Sequence, residues 1–130
     1  MQKDISTRHD IDQLIALFYK KLLEDTMLQY IFRETVLEHL QIHLHTVADF
    51  WDSILLDANN YRGNVTEKHI ALDRKFPLSE DLFNRWLELW KESINELFEG
   101  EKAEIAKTRA QSMADIMLYK IKYLHNNPPS

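Results

Sequence analysis

From Val36 to Asp57 the chain reads VLEHLQIHLHTVADFWDSILLD, a long run with neither glycine nor proline. Apolar residues return in it at intervals of three and four, the period of an amphipathic helix. Wound at about 100° per residue, it places Leu37, Leu40, Leu44, Val47, Trp51, Ile54 and Leu55 on one broad face. His43 falls inside that face, one turn before Val47 and near Phe50. His45 falls on the polar side and His39 at the far edge. An imidazole on an apolar stripe costs roughly 1–3 kcal/mol unless something bonds to it. His43 therefore calls for a partner.

The rest of the chain is equally helical in pattern. Only two glycines and three prolines occur in 130 residues, too few to turn an all-β fold, and the length suits one domain with a single core. A first helix is expected from between Thr7 and Asp10, with Ile11, Leu14, Ile15, Phe18 and Leu22 at helical spacing and Tyr19 at the border of that stripe. A short helical stretch over 24–33 and the long helix from Glu34 or Thr35 follow. Asn59, Asn60, Tyr61, Arg62 and Gly63 break the periodicity. Asn64 or Thr66 then caps a short helix on which Val65, His69 and Leu72 share a face. The spacing predicts another helix from Ser79 to Glu99, with Trp86 near the middle of its apolar arc. After Gly100 a last helix, 101–124, offers Ala103, Ala106, Ala110, Met113, Met117 and Ile121 for close packing. Residues 1–8 and 126–130 are expected to be frayed tails of a single domain spanning 1–130.

Composition closes off several functions. The absence of cysteine excludes disulfides, thiolate catalysis and cysteine-ligated zinc, and fits a cytoplasmic protein. A formal net charge of −5 and no clustering of Lys or Arg argue against nucleic-acid binding. No apolar run reaches the length of a membrane span, and no signal-peptide core opens the chain, so no membrane association is expected.

Four polar groups thus point where apolar side chains point: Tyr19, His43, His69 and Trp86. One arrangement employs all four. A flat apolar cofactor with a central metal lies between helices, one imidazole ligates the metal, and the remaining donors face a small ligand on the other side. Haem meets this description, because its iron takes a single neutral imidazole and leaves its second face to ligand chemistry. Two other readings stay open on the residues alone. His39 and His43 stand at i,i+4, a spacing that holds zinc on one helix with Glu38 or Asp49 near, although Leu40 breaks the HExxH signature. In a cofactor-free interaction domain the histidines and Trp86 would simply be packed.

Several ordered motifs carry a resemblance. Phe18-Tyr19, the DFW of Asp49 to Trp51 followed by Leu55-Leu56, Tyr61-Arg62-Gly63, the KHIAL of Lys68 to Leu72 and the FNRWLELW of Phe83 to Trp90 are similar to the group III truncated haemoglobins, over about Ile11 to Met117. The resemblance implies an all-α, globin-like fold shortened to a two-over-two helical sandwich, and haem b (iron protoporphyrin IX) as cofactor. It implies His69 as the proximal iron ligand, Tyr19 and Trp86 as distal hydrogen-bond donors, His43 as the distal histidine and Val47 as the closing wall of the distal pocket. Arg74 and Lys75, where the family often has prolines, are candidates for pairing with haem propionates, as is Lys68 more weakly; a solvated charged turn is the alternative. Asp57 stands where a glycine usually follows the Leu-Leu pair, so the helix exit is expected to differ in shape. Dioxygen, nitric oxide, carbon monoxide or peroxide are the implied ligands, with nitric oxide detoxification or peroxidase-like turnover drawing electrons from a separate reductase.

Overall fold

The computed structural model describes residues 2–59, 61 and 63–126. Asn60, Arg62 and 127–130, which the sequence places in a connection and in the C-terminal tail, lie outside the described residues. Among the described residues there are six α-helices and no strand: α1 (Arg8–Glu24), α2 (Gln29–Thr35), α3 (Leu40–Leu55), α4 (Val65–Lys75), α5 (Glu80–Leu97) and α6 (Glu101–Asn126). Helix α1 packs on α3 and α5 on α6; the two pairs cross where α1 meets α5 and α3 meets α6. That is the two-over-two sandwich. Helix α2 leans on α1, whereas α4 approaches α6 and no other described helix.

The helix starts follow their caps. Thr7 Oγ1 accepts from the Asp10 amide (3.1 Å) and the Asp10 carboxylate accepts from the Thr7 amide (3.1 Å), a reciprocal capping box. Asn64 caps α4 and Ser79 caps α5, each side chain accepting the amide three residues on. Where pattern gave no local signal, the structure departs from expectation. The long helix expected from Glu34 or Thr35 is interrupted by a 3₁₀ turn, Leu37–His39, before α3 begins at Leu40. Val36 turns into the core, leaving Leu37 43 % exposed rather than on the buried face. At the other end Asp57 adopts φ 57°, the left-handed conformation usually left to glycine, and this residue turns the chain out of α3.

Residues 2–7 are not a frayed tail. Ile5 is buried, and the Asp4 carboxylate accepts from the Lys102 and Ala103 amides (2.9 Å each), serving as the cap of α6 from the far end of the chain. The approach is close enough that a Cβ on Gly100 (φ 146°) would stand 2.5 Å from Asp4 Cγ. A lone Ile5 among polar residues carried too little periodicity to reveal this.

The core centres on aromatic rings. Phe18 meets Trp90 edge to face (4.9 Å) and Trp51 stacks on Trp90 (4.7 Å, 26°), joining α1, α3 and α5. Trp90 donates its indole N–H to the Ala106 carbonyl of α6 (3.1 Å), reached because Ala103, Ala106 and Ala110 hold α6 close.

Burial alone would raise the Asp10 pKa, but hydrogen bonds from Lys3, Ser6 and Thr7 win and hold it far below the carboxylate range. A folded pKa below the unfolded value of about 3.9 means that the contribution is complete above that pH and disappears as pH falls through the folded value. Asp10→Asn should therefore lower stability by about 1–2 kcal/mol at pH 7, and the gap to wild type should close on acidification, as read by urea denaturation at several pH values.

Candidate functional site

A cavity of about 310 Å³ lies between α4 and the crossed pairs. Tyr19 of α1, His43 and Val47 of α3, His69 of α4 and Trp86 of α5 all line it, so the fold brings together the four inward polar groups of the sequence. The Val65, His69 and Leu72 face of α4 meets this space rather than another helix.

His69 is prepared by its own helix. Its Nδ1 lies 2.8 Å from the Val65 carbonyl, one turn earlier. A carbonyl only accepts, so Nδ1 carries the proton and, in the neutral ring, the lone pair resides on Nε2. Burial presses the His69 pKa down, only partly opposed by the Val65 bond, and so favours that neutral form.

Across the cavity, Tyr19 Oη and His43 Nε2 lie 2.7 Å apart, which supplies the partner His43 needs. Tyr19 is 6 % exposed, and burial pushes its phenol above the ordinary value, so it remains a neutral donor. Burial first, and then the charge of Lys68, push His43 down toward its neutral form. Its tautomer decides what Tyr19 offers: with the proton on Nδ1, Tyr19 donates to His43; with it on Nε2, His43 donates to Tyr19 and the phenol proton turns to the cavity. Trp86 lies edge to face with Phe18 (5.6 Å) and parallel to Trp90, on the cavity lining.

Ion pairs set these walls in place. Arg8 at the start of α1 binds Asp49 (2.8 Å) and Asp52 (3.1 Å), fixing the rotation of α3 and with it His43 and Val47. Arg85, next to Trp86, binds Asp25 (2.7 Å), which also accepts from the Met27 and Leu28 amides and so ties α5 to the α1–α2 turn. Sequence reasoning missed these pairs because periodicity carries no signal for a charge that reaches another helix. It also missed Phe32 and Phe50 as cavity walls, although Phe50 follows His43 by two turns on the same side of α3.

The candidate cations fall in different places. Arg74 and Lys75 are exposed in the last turn of α4 and do not line the cavity; Lys75 lies over the Phe76 ring (5.5 Å). Lys68 is the one cation on the lining among the described residues, with its ammonium over the Tyr61 ring (5.6 Å). The zinc reading also loses its geometry. His39 belongs to the 3₁₀ turn and is exposed, which cancels the i,i+4 register with His43, and no three candidate ligands converge among the described residues.

The residues fit a haem. An apolar slot, one half-buried imidazole with a lone pair on Nε2, and Tyr19, His43 and Trp86 on other walls are the side-chain set that an iron porphyrin takes. Helical sandwich and site together define a haem-globin type of protein. No protein-family model matches the chain. It is 30% identical over 126 residues to the Group 3 truncated hemoglobin ctb of Campylobacter jejuni, a match covering 92% of this chain and 97% of that protein. The crystal structure of group III truncated hemoglobin from Campylobacter jejuni superposes with a TM-score of 0.83 at 28% identity, covering 93% of this chain and 95% of that one. The chain belongs to the group 3 truncated haemoglobins, and membership implies haem-based binding of small ligands.

The lowered His43 pKa carries a sign. Between the folded value and the unfolded value of about 6.5, the unfolded chain binds more protons, so stability rises with pH and the penalty is absent above that range. His43→Leu should therefore show a shallower loss of urea midpoint between pH 7 and pH 5 than wild type.

Proposed function

We propose that this chain holds haem b in the cavity with His69 as the single axial ligand, and uses Tyr19, His43 and Trp86 to grip dioxygen or a related small ligand on the opposite face. The observation that carries the reading is the His69–Val65 bond, which commits Nδ1 and leaves Nε2 uncommitted on a ring that lines the cavity. When bound, the haem supplies the iron centre at which dioxygen, nitric oxide, carbon monoxide or peroxide is taken up and redox chemistry occurs. The chain's residues then decide how firmly the ligand is held and how it reacts.

A ligand bearing partial negative charge gives the Tyr19 hydroxyl an acceptor. That favours the tautomer in which His43 Nε2–H donates to Tyr19 Oη and the phenol proton points at the ligand. Trp86 adds its indole N–H from α5. A hydrogen bond to a charged acceptor contributes about 1.5–3 kcal/mol, or roughly ten- to a hundredfold in affinity. Val47 and the aromatic walls exclude water, which keeps these bonds strong. Lys68, on the cavity lining, is our first candidate to meet a propionate, with Arg74 and Lys75 in the last turn of α4 as further candidates.

Donors this numerous slow dioxygen release, which disfavours simple transport. With haem bound, these donors would favour redox chemistry on a small oxygen ligand over its simple release, so we favour nitric oxide detoxification or peroxidase-like turnover, with electrons from a separate reductase. A cytoplasmic setting agrees with that need for a reducing partner.

An absorption spectrum of the ferrous protein, with and without carbon monoxide, tests the cofactor. His69→Ala should lose the five-coordinate ferrous spectrum, and a normal deoxy spectrum from that variant would end the axial assignment. Tyr19→Phe and Trp86→Phe should each speed dioxygen dissociation about ten- to a hundredfold in stopped-flow traces. Unchanged rates in both would refute the distal grip.

A further inference from the structure

Helix α4 carries the imidazole yet has a helix to lean on at one side only, since it approaches α6 and no other described helix. Near its C-terminus one side chain compensates. Asp73 is 8 % exposed and has both carboxylate oxygens engaged. Oδ1 accepts from the Leu78 amide (2.7 Å), fixing the connection into α5. Oδ2 accepts from His125 Nε2 (2.7 Å), in the last turn of α6. Asp73 follows His69 by four residues, about 6 Å along the helix axis and about 40° around it. The carboxylate therefore acts on the same side of the helix as the imidazole, one turn away.

We propose that Asp73 and His125 form a positioning pair that sets the tilt of α4, and through it the orientation of the His69 ring in the cavity. The proposal rests on the reading of His69 as the iron ligand. His69 has its own ring fixed relative to α4 by the Val65 bond, so any change in the tilt of the helix moves the ring with it. Val65, His69 and Leu72 face the cavity, and therefore resist such a tilt less than side chains interlocked with a second helix would. Removing His125 leaves a buried carboxylate oxygen without its donor, and α4 relaxes to regain one. The nearby Lys122–Glu80 pair (3.3 Å) joins α6 to α5, and both partners are largely exposed. It serves as an internal control.

Resonance Raman spectra of the ferrous, ligand-free holoprotein read the iron–histidine stretching band, which responds to ring orientation and not to overall stability. The band should move or broaden in His125→Ala, return in His125→Gln, whose side-chain amide can donate to Asp73, and stay in place in Lys122→Ala. Hydrogen exchange on the same holoproteins should show the Asp73 and Phe76 amides exchanging about tenfold or more faster in His125→Ala alone. A band identical in wild type and His125→Ala, or displaced equally by Lys122→Ala, overturns the proposal while leaving His69 as ligand. A wild-type holoprotein with no iron–histidine band overturns the ligand reading and this inference with it.

Discussion

One nitrogen of His69 is committed to its own helix and the other is not. Everything distinctive about the molecule serves that asymmetry. The Val65 carbonyl settles the tautomer, burial keeps the ring neutral, and the surrounding walls are apolar enough to deny the second nitrogen a competing partner. A protein interior normally closes on such a group. Here it stays open because α4 spans the cavity instead of nesting against α1 or α3.

Keeping that space requires rigidity elsewhere. The interlocked rings of Phe18, Trp51 and Trp90 give the crossed helices a fixed centre, and the indole bond to Ala106 ties α6 into it. Around this centre the polar anchors are few and each spans elements: Arg8 to α3, Asp25 to α5, Asp4 to α6. A buried carboxylate is costly unless bonded, and Asp25 accepts from Arg85 and from the Met27 and Leu28 amides, while the half-buried Asp4 accepts from the Ile5, Lys102 and Ala103 amides. Their contribution is orientation. They decide which faces of α1, α3 and α5 look into the cavity, and hence that Tyr19, His43 and Trp86 meet there.

How much of this was legible in the chain depends on the range of the interaction. Helix extents and caps were local, so Thr7, Asn64 and Ser79 could be read directly. The inward stance of Tyr19, His43, His69 and Trp86 followed from helical periodicity. That they share one space did not; it came from motif resemblance and then from the crossing of the helices. The break at Leu37–His39 was invisible because no glycine, proline or capping residue marks it, and only the inward turn of Val36 explains it. Charge alone could not separate Lys68, which lines the cavity, from Arg74 and Lys75, which the last turn of α4 leaves on the exposed side.

The clasp of Asp4 on the first amides of α6 joins positions nearly a hundred residues apart. During synthesis the N-terminal segment emerges first but finds its acceptor site last, when Lys102 and Ala103 leave the ribosome. Completion of this clasp is thus a late event, and a nascent polypeptide halted before Gly100 would leave the Asp4 carboxylate without the two α6 amides it accepts from.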